Sequence, residues 1–249
     1  MIFDPFGDFE TAGYLQNTLG LKNPDEVKRS EHLVFELGIE EALQFLSSQA
    51  SITYATVLRV HAILFAEFYP WAGRDRNELV PNLAVFKGTS DHPRHTVFAH
   101  PKEIKLAVNY ALQLACDIKR FRKRPGEVMG ALAFAHPFLD GNGRALLLVF
   151  MELSYRAGFS IAWYRTNKDD YLNALSVEIA EPARRCLDKY LLPFMVDITD
   201  RDEWPGIIGG IKGLDGLDKE DISYRSLDDP EIQNLYRIKR DYGSETGSE

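Results

Sequence analysis

The run Ala145-Leu146-Leu147-Leu148-Val149-Phe150-Met151 sets seven apolar residues side by side. Wound into a helix, it is apolar on every face, and such a helix is stable only where neighbours cover it all round. A buried central helix wrapped by amphipathic ones is therefore the first constraint on the fold. The flanking sequence supplies the wrapping. Pro24-Asp25 opens a helical segment, about 24–47, in which Leu33, Leu37, Ala42, Leu43 and Leu46 recur at helix-like spacing. Thr53 is placed to cap a second segment carrying Val57, Val60, Ile63 and Leu64, and Pro70 bounds it. Pro101 and Pro125 suit the first turns of two more helices, about 101–121 and 125–135, because the missing N–H has no partner there anyway. The central helix should span about 142–157, with two further helices near 169–179 and 182–196.

Residues 74–100 break the helical period. Leu79-Val80, Leu83-Ala84-Val85-Phe86 and Thr96-Val97-Phe98 favour strands around a turn-like Gly88-Thr89-Ser90-Asp91-His92-Pro93. They predict an irregular β-hairpin, or flap, over about 78–98. Past Trp204 glycines punctuate an acidic stretch, and residues 200–249 hold 13 acidic and 7 basic residues. The expectation is an acidic, Gly-rich flexible tail over 199–249, with a short helix around 231–240. Residues 1–50 are expected to be an N-terminal helical extension packed on a core domain of 51–198.

The chain has 249 residues, 45% of them apolar, enough to close a core without staples. A net charge of −8 argues against nucleic acid as partner. Cys116 and Cys186 sit in helical patterns and fit a reducing, cytoplasmic compartment rather than a disulfide framework. Met1-Ile2-Phe3-Asp4-Pro5 does not read as a secretory leader, and no apolar run approaches the 18 or so residues of a membrane span. His32, His61, His92, His95 and His100 lack joint ligand spacing and are expected in core or surface roles, and the basic run 119–124 reads as a solvated helix end.

The chemistry gathers in His136-Pro137-Phe138-Leu139-Asp140-Gly141-Asn142-Gly143-Arg144. A histidine ends one helix, and a glycine-rich turn opens the next. Glycines let an anion approach the backbone N–H groups at a helix start, where the dipole also attracts phosphate. Arg144 can grip a phosphate through two parallel hydrogen bonds. Asp140 is a hard oxygen ligand suited to Mg²⁺, and His136 is a base beside the cradle. Base, metal carboxylate and anion nest together predict phosphoryl or nucleotidyl transfer.

The same segment resembles the Fic signature H-P-F-x-D/E-G-N-G-R. His61-Ala62-Ile63-Leu64-Phe65 and Tyr69-Pro70-Trp71-Ala72-Gly73-Arg74 also look like the family's region ahead of its flap. The resemblance covers about 50–195. It implies an all-α, Fic-like helical domain with a β-hairpin flap. By the same resemblance, His136 would deprotonate a Ser, Thr or Tyr hydroxyl of a target protein, which would attack the α-phosphate of ATP or another nucleotide. Asp140 would hold Mg²⁺, Gly141, Asn142 and Gly143 would form the anion hole, and Arg144 would bind a further phosphate. Asn167, Tyr171 and Asn173 fall where the family lines its base pocket. The flap, through Val85 and Val97, would dock the target as an added strand. Leu147 stands where the signature has a second arginine. The inhibitory pattern S/T-x-x-x-E-G/N finds only Thr199 and Glu203, followed by Trp204, so a separate, antitoxin-like inhibitor becomes a candidate partner. Phosphocholine or phosphate transfer, or a catalytically silent binding module, are the alternatives. The resemblance spans both bacterial toxins and effectors delivered into a host.

Overall fold

The computed structural model describes residues 15–88, 96–211, 214 and 222–245, the last eight of these as backbone alone. Helix α1 (Pro24–Ser48) is capped by Asn23, whose side chain accepts from the N–H groups of Asp25 and Glu26. Its inward face runs Val27, Glu31, Phe35, Ile39, Ala42, Leu43 and Leu46. Leu33 and Leu37 instead face solvent, at 56% and 76% exposure, because the buried stripe passes through Phe35 between them. Helix α2 (Tyr54–Phe65) starts at Thr53, which shares a reciprocal capping box with Thr56. The short α3 (Arg76–Leu79) leads into the flap, whose strands are β1 (Leu83–Lys87) and β2 (Thr96–Val97).

A single helix was expected over 101–121. It is a 3₁₀ turn (Pro101–Glu103), then α4 (Ile104–Cys116) and α5 (Ile118–Lys123), the last capped by the Asp117 side chain. Helix α6 (Pro125–Ala135) and the central α7 (Asn142–Arg156) follow. Every residue from Ala145 to Met151 is buried, as the all-round apolar run requires. Then come β3 (Ser160–Ile161), α8 (Lys168–Ala180), α9 (Cys186–Leu191) and β4 (Met195–Val196), with β3 and β4 paired antiparallel. The basic run 119–124 is partly used within the chain: Arg122 donates to Ala157 O at 3.2 Å, and Arg124 pairs with Glu127 at 3.3 Å.

The expected loose tail is corrected for its described residues. Helix α10 (Trp204–Gly209) buries Trp204 and Ile208 in the main core. Arg201 forms a two-pronged ion pair with the buried Glu152 of α7, at 2.7 and 3.1 Å. Strand β5 (Ile222–Ser226) joins the flap sheet, in the order β2-β1-β5. It pairs antiparallel with all of β1, from Leu83 opposite Ser226 to Lys87 opposite Ile222. Helix α11 (Pro230–Glu245) then lays Ile232 and Tyr236 against Ala84, Phe86 and Val97, closing a small second core. The Tyr236 hydroxyl donates to Phe98 O at 3.0 Å. Acidic composition did not prevent this order, because a few apolar side chains at strand and helix spacing found a sheet to cover.

Ile232→Asp should therefore unfasten β5 from the flap. Loss of a buried isoleucine costs about 2–5 kcal/mol locally. Hydrogen exchange at 83–87 should speed up about tenfold or more while α7 stays protected. Unchanged protection of 83–87 would contradict the docking of β5.

Candidate active site

His136 ends α6 with φ 40° and ψ 60°, a left-handed conformation rare for a side chain with a Cβ. The surroundings hold it there. Its ring stacks on Phe98 at 3.7 Å between centroids. Its carbonyl accepts from Arg76 Nε at 2.6 Å, and Arg76 Nη2 also donates to Ala99 O at 3.0 Å. The Arg76 backbone N–H donates to Pro137 O at 2.8 Å. Arg76 is fully buried and solvated by carbonyls at the C-terminal end of α6, where a cation is favourable. Burial, only partly offset by nearby tyrosines and Asp75, lowers its pKa to about 10.

Asn142 fixes the tautomer of His136. The Phe138 N–H donates to Asn142 Oδ1 at 2.9 Å, and Asn142 Nδ2 donates to Phe138 O at 2.8 Å. These two bonds set the amide's orientation, so the Nδ2 placed 3.1 Å from His136 Nε2 is a donor. The ring proton therefore sits on Nδ1, and the basic lone pair is on Nε2. Burial, reinforced by the charges of Arg76 and Lys87, pushes the His136 pKa well below its usual value, so the ring is neutral near pH 7.

His61 does more than pack. The Gly73 N–H donates to its Nδ1 at 3.0 Å, which leaves Nε2 protonated to donate to Asp140 O at 3.0 Å. It stacks on Phe138 at 3.7 Å, and burial lowers its pKa to about 3. The loop is thus pinned from both sides. Gly141, at φ +73°, is required by this packing: a Cβ there would lie 2.5 Å from Phe65. At Gly143 a Cβ would meet open space, so the approach to that residue is clear.

A cavity of about 480 Å³ opens beside the loop. His136, Asn142 and Gly143 line it, with Lys87, Thr96 and Phe98 from the flap. Trp163, Asn167 and Tyr171 line it too, as do Leu146, Leu147 and the tail residues Ile211 and Leu214. Asn167 caps α8, and Tyr171 packs edge-on against Trp163. Asn173 is corrected: α8 turns residues 171, 172, 175, 176 and 179 toward the cavity and leaves 173 exposed.

Two further expectations are corrected. Arg144 does not line the cavity. It is buried, ion-paired with Glu31 of α1, and lies over Phe35 and Phe65. Val85 offers no open edge, because Tyr224 of β5 lies opposite it, and Val97 is buried opposite Phe86. Tyr224 also sends its hydroxyl to Leu139 O at 3.4 Å. Arg76, Lys87 and Glu31 escaped notice in the sequence. Glu31 had left a sign, since it interrupts the stripe Val27, Phe35, Ile39.

Asp140 is partly exposed; its Oδ1 accepts the Gly141 N–H at 2.6 Å and lies 3.9 Å from the Arg144 guanidinium. Among the described residues no three potential ligands cluster to hold a metal. One carboxylate suits a Mg²⁺ whose other ligands are phosphate and water, not an all-protein cage.

Comparison with known proteins follows the same geometry. The sequence model of the Fic/DOC family matches residues 51–153. Protein adenylyltransferase VbhT of Bartonella schoenbuchensis is 32% identical over 217 residues, which cover 79% of this chain and 41% of VbhT. This chain thus spans about two fifths of that relative. The probable protein adenylyltransferase y4lH of Sinorhizobium fredii is 25% identical, over 65% of this chain and 81% of y4lH. An N-terminal Fic domain of a VirB-translocated Bartonella quintana effector, solved with ADP, superposes with a TM-score of 0.62 at 20% identity. It covers 78% of this chain and 95% of that one. BepC of Bartonella tribocorum, solved with AMPPNP, gives 0.60 at 19% identity, over 76% and 96%. These structures share the helical fold.

Two neutral buried histidines give a pH signature. The unfolded chain protonates both below about pH 6.5 while the fold resists, so stability falls as pH falls below that value and is flat above it. Each histidine contributes a slope of about 1.4 kcal/mol per pH unit. Urea unfolding at about pH 7, 6 and 5 should show that slope, and His61→Asn should remove about half of it.

Proposed function

This chain belongs to the Fic/DOC family, and from that membership we propose that it transfers a nucleotide monophosphate to a hydroxyl of a target protein. The observation that carries the proposal is the neutral His136, held with its Nε2 lone pair beside Asn142 and Gly143 at the wall of a nucleotide-sized cavity. The names of the two adenylyltransferase relatives support it.

In the proposed reaction the donor's base lies toward Trp163, Asn167 and Tyr171, and its phosphates lie toward Gly143. The target hydroxyl donates to His136 Nε2, in place of Asn142 Nδ2. Its oxygen bonds the α-phosphorus as the bond from that phosphorus to the leaving oxygen breaks. With ATP, pyrophosphate departs and the proton passes to His136. A base of such low proton affinity is a weak one in the empty site, and the donor's negative phosphates raise that affinity. Proton abstraction is thereby tied to donor binding. Asp140 is the carboxylate that would hold Mg²⁺. Bound there, the ion neutralises phosphate charge.

The target cannot add a strand to β1 while β5 is paired with it. Target docking at the flap therefore belongs to the proposal with β5 displaced, at the outer edge of β2, or by side-chain contact. An inhibitor acting in trans remains part of the proposal, since these 249 residues lack the S/T-x-x-x-E-G/N pattern.

His136→Ala should abolish transfer of label from α-³²P ATP to protein, a loss of about 10²–10⁴-fold. Nucleotide binding, read as a rise in melting temperature with Mg²⁺ and ATP, should survive. Wild-type labelling by the variant would remove the base assignment. Leu147 lines the cavity and is buried. If its position faces the donor's last phosphate, Leu147→Arg should tighten ATP relative to ADP by about tenfold in titration calorimetry. An unchanged preference in a folded variant would place that position away from the phosphates.

A further inference from the structure

We infer that Lys87, at the end of flap strand β1, is the side chain that grips the donor's phosphates in this protein, the part the motif arginine was expected to play. The inference rests on the nucleotide-transfer proposal and assigns a binding residue within it.

The motif arginine is committed elsewhere. Arg144 is buried with its guanidinium on the equally buried Glu31, between α1 and α7, and it forms no part of the cavity wall. Turning it to a phosphate would take the countercharge away from the buried Glu31 carboxylate, which is unfavourable. Leu147, one turn on, brings no charge. Among the described residues, the cations on the cavity wall are Lys87 and Lys168. Lys168 opens α8 beside Asn167, a residue assigned to the base, and is followed by the acidic Asp169 on the same wall.

Lys87 lines the same cavity as His136, Asn142 and Gly143, and Phe98, two residues past its sheet partner Thr96, stacks on the His136 ring. Its partners across the sheet are Thr96 and Ile222. A register fixed on both sides delivers the lysine stem to one place. That its charge helps hold His136 neutral agrees with this proximity. A lysine ammonium on a flexible stem is a common phosphate ligand and needs no planar match.

The test compares adenosine, ADP and ATP, each with Mg²⁺, by titration calorimetry. Lys87→Met should weaken ADP and ATP about tenfold or more and leave adenosine within about twofold. Lys87→Arg should recover most of the loss. Met-variant affinity for ATP equal to the wild type, or an equal loss for adenosine, would overturn the assignment. A wild-type protein that binds none of the three would overturn the nucleotide proposal along with it. A measurement on the unmutated chain guards against misfolding. Acetylation of Lys87 by a succinimidyl ester, followed by mass spectrometry, should slow with ATP and Mg²⁺ but not with adenosine. Equal acetylation with and without ATP also counts against Lys87.

Discussion

The buried guanidinium of Arg76 is the contact on which the catalytic loop depends. Among the described residues no carboxylate pairs with it; it is stabilised by carbonyl oxygens of Ala99, Ala135 and His136 near the negative end of α6. Three segments meet there: the entry to the flap, the exit from the flap, and the end of the helix that delivers His136. The left-handed backbone of His136 turns its carbonyl toward this cation and its ring toward Phe98. A strained residue persists when its neighbours over-determine it, and here a charge-assisted hydrogen bond and a ring stack do so together.

The second support is the Glu31–Arg144 pair. Buried ion pairs contribute little net stability but strongly penalise any arrangement that separates them. This one specifies how α1 seats against α7, with Phe35 and Phe65 covering the guanidinium. An arginine inside a signature for phosphate chemistry thus serves, in this chain, to join the N-terminal helix to the core.

Much was legible in the sequence where the causes are local. Thr53 as a cap, proline at helix starts and the apolar run of α7 act within a few residues of themselves. So does the loop, because Asn142 reaches only four residues back to Phe138. What escaped depends on distant partners. Leu33 and Leu37 have the right spacing for a helix face, but the face that is buried follows Phe35. Arg76 lies in a stretch without period, and its value comes from carbonyls some 60 residues away. Asn173 sits on the right helix and the wrong side of it. The alternating Ile222 and Tyr224, and the one-turn pair Ile232 and Tyr236, look too sparse to order an acidic segment until the flap is placed beneath them.

The strand order β2-β1-β5 has a consequence in time. About 140 residues separate Val85 from Tyr224, its partner across the sheet. A chain made at about 5–20 residues per second leaves β1 without that neighbour for roughly 7–28 s. Throughout that interval a strand destined for the middle of a sheet stands at its margin, with open backbone groups beside apolar side chains. The nascent protein therefore shows its surroundings a surface that the finished one conceals.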